Sequence, residues 1–228
     1  MDWQANCAAV IPCLNEEPTI LDLVQQVRRH LTTVVVVDDG STDGTAKTAA
    51  HAGAVVLRLT SNLGKGAALH EGWQWAQKHG FQWALTLDGD GQHSTDDIPS
   101  FFLCAKETSA ALVVGNRMGN ARGMPWFRRL VNRWMSRRLS RAAGQVLPDS
   151  QCGFRLMNLQ AWSHIPITTS RFEIESEVLL KFARAGRVIR FVPVRVIYKN
   201  EKSKIHPLQD TVRWFRWWKE ARREKTDA

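Results

Sequence analysis

Two aspartates stand two positions apart in Asp88-Gly89-Asp90, directly after the apolar run Trp83–Leu87. Carboxylates spaced this way at the end of a strand can share a hard divalent cation. Magnesium and manganese bind through few carboxylates and fill their shells with substrate phosphates. A metal across a diphosphate neutralises charge that develops as a nucleotide leaves. Gly89 and Gly91 leave room for a sugar phosphate to approach the backbone. An isolated Asp-x-Asp is also an ordinary solvated turn, because Asp and Gly are favoured turn residues. The motif therefore takes its meaning from its surroundings.

Two further polar clusters follow apolar runs. Val34–Val37 leads into Asp38-Asp39-Gly40-Ser41-Thr42-Asp43-Gly44, and carboxylates there can accept from a base N–H or a ribose hydroxyl. Ser41, Thr42 or Asp43 is also expected to cap the helix that follows. Upstream, Ile11-Pro12-Cys13-Leu14-Asn15-Glu16-Glu17 is a third polar strand end. Asn15 and the glutamates equally suit a helix start, which the helix dipole favours.

The elements that must position these clusters alternate in kind. Cys7–Ile11, Val34–Val37, Ala54–Leu59, Trp83–Leu87 and Ala110–Val114 are short apolar runs without polar alternation, as in strands buried on both faces. Between them run helical stripes: Ile20, Leu21, Leu23, Val24 and Val27, then Ala67, Leu69, Trp73 and Ala76, then Ile98, Phe101 and Phe102. Strand alternating with helix predicts an α/β fold whose parallel sheet has right-handed crossovers. In such sheets ligands sit outside the carboxyl ends of the strands. Beyond Gly115 the pattern changes. Trp126 to Ala143 reads as a basic amphipathic helix, Pro148 to Gly153 as a loop, Phe172 to Ala185 as a helix and Val188 to Tyr198 as a strand. A last basic helix is expected from Pro207, with Trp214, Phe215, Trp217 and Trp218 among arginines and lysines. The expected organisation is one domain over residues 1–199, with a basic Trp-rich segment over 200–228 packed on the domain or on a membrane surface.

The 228 residues are 44% hydrophobic and 23% charged, which fits a folded chain with a sizeable core. A net charge of +9 favours anionic partners. None of the four cysteines forms a CxxC pair, which argues against a zinc site. Their number and the absence of a secretion signal predict a cytoplasmic location. No apolar run reaches the ~20 residues that cross a bilayer. Paired carboxylates at strand ends repel phosphate unless a metal intervenes, so a nucleic-acid-binding protein fits poorly despite the charge. A nucleotidyltransferase would need a basic glycine-rich loop near the N-terminus to hold a triphosphate, and the sequence has none.

Taken in order, Pro12-x-x-Asn15-Glu16, Asp38-Asp39-Gly40-Ser41-x-Asp43-Gly44-Thr45, Asn62-x-Gly64-Lys65-Gly66 and Asp88-Gly89-Asp90-Gly91-Gln92-His93 resemble the family 2 glycosyltransferases. The resemblance implies the GT-A fold, a nucleotide-sugar-binding, Rossmann-like, mostly parallel sheet flanked by helices, and inverting transfer. Gly115-Asn116-Arg117, Asp149-x-x-x-Gly153-Phe154-Arg155, Phe172-Glu173-x-Glu175 and Ser203-Lys204-Ile205 resemble the dolichyl- and polyprenyl-phosphate sugar synthases within that family. It further implies that Pro12, Leu14 and Glu16 line the nucleobase and ribose pocket and that Asp38 or Asp39 holds the base. Lys65 and Gly89 join that nucleotide-sugar set. Asp88 would contact the donor near Mg2+ or Mn2+, with Asp90 and Gln92 completing the metal and diphosphate site. Arg117 would bind acceptor or donor phosphate, and Lys204 would pair with phosphate as the C-terminal segment closes. Relatives often carry a Gly-containing, Arg-bearing stretch before the Ser-Lys pair, whereas here it reads Lys199-Asn200-Glu201-Lys202.

The acceptor is read from the second half. A phosphate monoester, with its second pKa near ~6, arrives largely ionised and needs positioning more than a base. A hydroxyl acceptor needs a carboxylate within hydrogen-bond reach. Asp149 is the candidate base, or else a loop residue paired with Arg155. The arginines around it favour an anionic acceptor. Arg and Lys interleaved with Trp and Phe in Trp126–Ala143 and Pro207–Arg223 fit helices lying on an anionic membrane surface. The expected protein is therefore a peripheral one at the inner face of the cell membrane, or docked to a membrane partner. It would take a hexose or N-acetylhexosamine from a UDP- or GDP-linked donor to polyprenyl phosphate, with a hydroxylated lipid or glycan as the alternative acceptor.

Overall fold

Four successive valines cannot alternate between core and solvent, and they form β2 (Val34–Asp38), buried along its whole length. The same holds for β1 (Cys7–Cys13) and β4 (Trp83–Thr86). With β3 (Val55–Arg58), β5 (Leu112–Asn116), β6 (Arg155–Asn158) and β7 (Ile189–Pro193) they make one sheet in the order β3-β2-β1-β4-β6-β5-β7. Only β6 runs antiparallel to its neighbours. The computed structural model describes residues 1–120, 124–197 and 207–223.

The predicted strands are all present, with two differences. The segment Ala54–Leu59 reads as buried, yet β3 is half-exposed, because it lies at the sheet edge with β2 as its sole partner. The other difference is β6, which falls in a stretch that carries no strand prediction. Its four residues begin with a buried arginine and end in Asn158, so they show neither an apolar run nor alternation. The Val188–Tyr198 strand narrows to β7. Tyr198 and the expected domain boundary at residue 199 lie outside the described residues.

The helices are α1 (Trp3–Asn6), α2 (Glu17–Val27), α3 (Thr45–His51), α4 (Lys65–Lys78), α5 (Ile98–Thr108), α6 (Trp126–Ala143), α7 (Leu159–Ser163), α8 (Ile174–Arg184) and α9 (Pro207–Arg223). The N-cap of α3 is Gly44 and not Ser41, Thr42 or Asp43, although Asp43, one residue earlier, still accepts from the Thr45 amide at 3.0 Å. Glu17 of α2 adds a second acceptor for the Gly44 amide at 3.0 Å. Helix α4 lies directly over β1 and β2, where its Gly72 leaves no room for a side chain against Val10 and Val37. Trp214, Trp218 and Ala221 bury one side of α9 in the common core.

Register decides what meets at the active edge. Cys13 pairs with Asp38, and Val10 with Thr86. The polar tails of β1, β2 and β4 therefore emerge side by side. Because β6 is antiparallel, its start emerges at this same edge, and the loop before it joins the cluster. Replacing Gly72 by Val should lower stability by about 1–3 kcal/mol through overpacking. Denaturant unfolding measures this, and an unchanged midpoint would show that α4 does not sit this close to the sheet.

Candidate active site

The Asp88 loop is held by its neighbours on three sides. Thr19 of α2 donates to the Gly89 carbonyl at 2.8 Å. A side chain on Gly89 would lie 2.7 Å from Cys13 Sγ and 3.2 Å from the Pro12 carbonyl oxygen. One on Gly153 would lie 2.6 Å from Asp88 Oδ1. Both glycines thus let the carboxylate sit tightly against β1 and the loop before β6.

Lys65, the first residue of α4, bridges two carboxylates. Its Nζ is 2.6 Å from Asp88 Oδ1 and 2.5 Å from Glu175 Oε1. Burial opposes the ammonium charge, but Asp88 and Glu175 outweigh it and hold the lysine above its usual range. Burial likewise opposes ionisation of Asp88, while Lys65 and His93 pull that carboxyl far below the usual carboxylate range. His93 Nε2 lies 3.3 Å from Asp88 Oδ2.

Asp90 is different. Its Oδ1 accepts from the Gln92 amide at 3.0 Å. Burial, and then the Asp88 charge, push its carboxyl up. Among the described residues no three His, Cys, Asp or Glu side chains gather into a metal-ligand group. The residues present nevertheless fit a divalent cation that brings phosphate ligands with it. The repulsion left on Asp90 is what such an ion removes, and two carboxylates suffice when phosphates complete the shell. The Gln92 carbonyl accepts from Ile197 at 2.8 Å, which ties this loop to the chain leaving β7.

The nucleotide-side residues are gathered at the same edge. Pro12 is buried in β1, and Leu14 and Glu16 follow it half-buried. The Glu16 amide donates to Thr45 Oγ1 and the Asn15 amide to Ser41 Oγ, both at 2.8 Å. Asp38 accepts from the Ser41 amide at 2.8 Å and pairs with Arg58 at 3.3 Å. Asp39 accepts from the Leu63 amide at 2.8 Å and the Gly64 amide at 2.9 Å. Burial raises the Asp39 carboxyl against the pull of those amides. Both aspartates therefore brace the loops that frame this edge.

Arg117 and Asp149 form a close pair at the far end of the edge. Arg117 Nε and Nη2 donate to Asp149 Oδ2 and Oδ1 at 2.8 and 2.9 Å, and the Arg117 amide adds a bond of 3.0 Å. Asn132 of α6 and the Gln151 amide also donate to Asp149, at 2.8 and 3.2 Å. Asp149 is fully buried; burial raises its carboxyl, but Arg117 and the other donors bring it below the ordinary range. The expected pairing with Arg155 is thus corrected. Arg155 gives its guanidinium to the backbone carbonyls of Ser150, Cys152 and Glu175 at 3.1, 2.7 and 2.8 Å. It cannot also reach Asp149, because β6 carries it back into the sheet.

The model for Glycosyl transferase family 2 matches residues 8–165. The chain belongs to that family. Glycosyltransferase AglJ of Haloferax volcanii is 31% identical over 206 residues, 87% of this chain and 66% of that protein. The UDP-N-acetylglucosamine–dolichyl-phosphate N-acetylglucosaminyltransferase of Methanococcus voltae is 28% identical over 212 residues, 83% of this chain and 84% of that one. Among solved structures, glucosyl-3-phosphoglycerate synthase of Mycobacterium tuberculosis, with Mn2+, uridine diphosphate and phosphoglyceric acid, superposes with a TM-score of 0.69. That match covers 92% of this chain and 75% of the other at 21% identity, and it shows the shared GT-A fold.

Every site residue expected from the sequence lies along this edge except Lys204, which is outside the described residues. Three neighbours complete the set. Glu175 and His93 stand inside the family motifs, but their contact with Lys65 and Asp88 is not readable from spacing. Asn132 is missed altogether; its one signal is a short amide among arginines on a face that turns out to be buried. Replacing Asp149 by Asn should leave the Arg117 charge unpaired and cost about 3–5 kcal/mol of stability. The carboxylate's own contribution is complete above about pH 4, its unfolded value, and is lost as pH falls through the lower folded value. Thermal melts of both proteins across this range test it, and equal stability at neutral pH would remove the pair's assigned weight.

Proposed function

We propose that this glycosyltransferase moves a sugar from a nucleotide-diphosphate sugar to polyprenyl phosphate. The observation that carries the acceptor class is the saturation of Asp149. Both its oxygens are taken by Arg117, Asn132 and backbone amides, so it has no free lone pair directed at an incoming hydroxyl. A phosphate acceptor needs no base. Its ionised oxygen attacks the anomeric carbon, the bond from that carbon to the nucleoside diphosphate breaks, and the diphosphate leaves with inversion. The dolichyl-phosphate acceptor named for the Methanococcus voltae relative supports the same choice.

In this reading Pro12, Leu14 and Glu16 line the nucleoside pocket, framed by the loops that Asp38 and Asp39 brace. Lys65 and Gly89 border the donor. Asp88, Asp90 and Gln92 would hold a divalent Mg2+ or Mn2+ together with the donor's own phosphates, and the ion would supply charge neutralisation to the diphosphate. Arg117, oriented by Asp149, holds the acceptor phosphate bidentately. Lys204 is assigned to phosphate by family resemblance.

A membrane-resident acceptor calls for a surface that meets lipid. On the first turns of α6, Trp126, Phe127, Leu130 and Val131 are exposed, Trp126 at 78%. Trp134 continues the stripe and meets Phe215 of α9 with ring centroids 5.1 Å apart. No acidic residue occurs in α6, and its arginines flank the stripe. Exposed aromatics with charge of one sign suit an anionic bilayer interface. Among the described residues no helix is long and apolar enough to cross a membrane.

Two measurements test this reading. UDP- and GDP-sugars with manganese should give a lipid-linked sugar from detergent-dispersed polyprenyl phosphate but not from the unphosphorylated polyprenol. Asp90→Ala should abolish that transfer. Transfer to polyprenol instead would make a hydroxyl the true acceptor, and full activity of the variant would remove the metal role. Separately, the protein should float with liposomes containing anionic lipid, and Trp126→Glu with Leu130→Glu should lower the bound fraction at least several-fold. Equal flotation of wild type and variant would exclude α6 as the contact.

A further inference from the structure

Helix α9 lies far along the chain from Arg117, yet a continuous run of side-chain hydrogen bonds joins them. Trp214 Nε1 donates to Ser176 Oγ of α8 at 2.8 Å. The Gln151 side-chain amide donates to the same oxygen at 2.9 Å and to Ser150 Oγ at 3.0 Å. Ser150 Oγ lies 3.1 Å from Ser136 Oγ of α6, and Ser136 donates to Asn132 Oδ1 at 3.0 Å. Asn132 Nδ2 then donates to Asp149 Oδ1 at 2.8 Å, and Asp149 holds Arg117.

Proton counting leaves this chain little freedom. Both amide protons of Gln151 are used, one on each serine. The Asn132 carbonyl oxygen faces Ser136 and its amide faces Asp149, so its flip is fixed from both ends. Ser136, Ser150, Ser176, Asn132, Asp149 and Trp214 are buried, where water is poorly placed to replace a lost partner, and Gln151 that links them is half-buried. A buried polar network that is fully satisfied is rigid, and removing one member leaves a neighbour unpaired. Apolar packing alone would hold α9 without any such chain, since Trp214 also stacks on Trp218 and meets Trp134 edge-on.

We infer that Trp214 is a positioning residue for Arg117, so that seating of α9 sets how the acceptor phosphate is held. The inference rests on the reading of Arg117 as the acceptor-phosphate residue. It makes the seating of α9 a requirement for acceptor use.

The test is steady-state kinetics with detergent-dispersed polyprenyl phosphate and the nucleotide sugar found in the transfer assay, on Trp214→Phe and Ser176→Ala. Trp214→Phe keeps the ring and removes the N–H; Ser176→Ala removes the shared oxygen. Each should raise the acceptor KM about two- to tenfold, the worth of one hydrogen bond. The donor KM should stay constant. Trp214→Phe combined with Asn132→Ala should be non-additive on acceptor KM. An unchanged acceptor KM in both single variants, or strict additivity in the double variant, overturns the inference and makes α9 a brace only. Should Trp214→Phe fail to accumulate folded, Ser176→Ala decides. Arg117→Lys separates the two layers. If it leaves acceptor KM unchanged, the acceptor-phosphate reading fails and this inference falls with it. If Arg117→Lys raises acceptor KM while the other two variants do not, the relay alone is wrong.

Discussion

Carboxylates gathered along one sheet edge repel each other. At a separation of about 4 Å and an effective dielectric of about 20, each pair costs about 4 kcal/mol unless offset. Asp38, Asp39, Asp88, Asp90, Asp149 and Glu175 all lie along this edge, and most of the local architecture offsets their charge. Asp38 has Arg58 and the Ser41 amide. Asp39 has two amides, Asp149 has Arg117, and Asp88 shares Lys65 with Glu175. Asp90 is less well offset: burial and the Asp88 charge raise it against the Gln92 amide and the more distant His93 and Lys65. Asp39 and Asp90 are the two carboxyls left raised, and of these it is Asp90 that stands where a divalent ion and a diphosphate are proposed to sit.

The position of Lys65 depends on backbone that only glycine permits. Gly64 has φ of +104°, and a side chain there would lie 2.6 Å from the Ser170 carbonyl oxygen. Gly66 meets the Thr169 carbonyl oxygen at the same distance. The start of α4 is thereby pressed onto residues 169–171, and the Ala67 amide donates to Ser170 at 3.0 Å. Glu177 fixes that stretch from the other side, accepting from the Thr168 and Thr169 amides at 3.1 and 2.8 Å. Close approach of α4 to the loop before α8 is what brings the lysine between Asp88 and Glu175. The Gly64-Lys65-Gly66 motif is thus a unit: the glycines permit the contact and the lysine uses it.

The parallel half of the fold was legible because buried strands leave a plain trace, uninterrupted valines and leucines ending in polar turns. Strand β6 left none, being four residues long, antiparallel and headed by a buried arginine that bonds to carbonyls. That omission explains the misjudged partner of Asp149. Arg155 is six positions away and looked available; Arg117 is 32 away and becomes adjacent only when β5 and β6 pair. Asp88 and Asp90 could be read because local spacing places them, whereas Glu175, His93 and Asn132 reach the site through tertiary packing. Adjacency in sequence served well for groups on one turn and failed for groups joined across the sheet.

The two ends of the edge are built by different physics, and this bears on what each can do. Around β1, β2 and β4 the supports are mainly amide-to-carboxylate bonds on short loops held by largely apolar strands. Around Arg117 they are side chain to side chain, spread over α6, α8, α9 and the loop before β6. Replacing such a network by apolar residues of similar volume is often neutral or stabilising, so stability alone gives little reason to keep it. What apolar packing cannot do is aim a guanidinium. A planar donor fork must present itself at a fixed angle to bind phosphate bidentately, and Asp149, itself held by Asn132, sets that angle. The network also spans the helices that carry the exposed aromatic stripe, so the group proposed to grip the acceptor and the surface proposed to meet its membrane share one rigid polar framework.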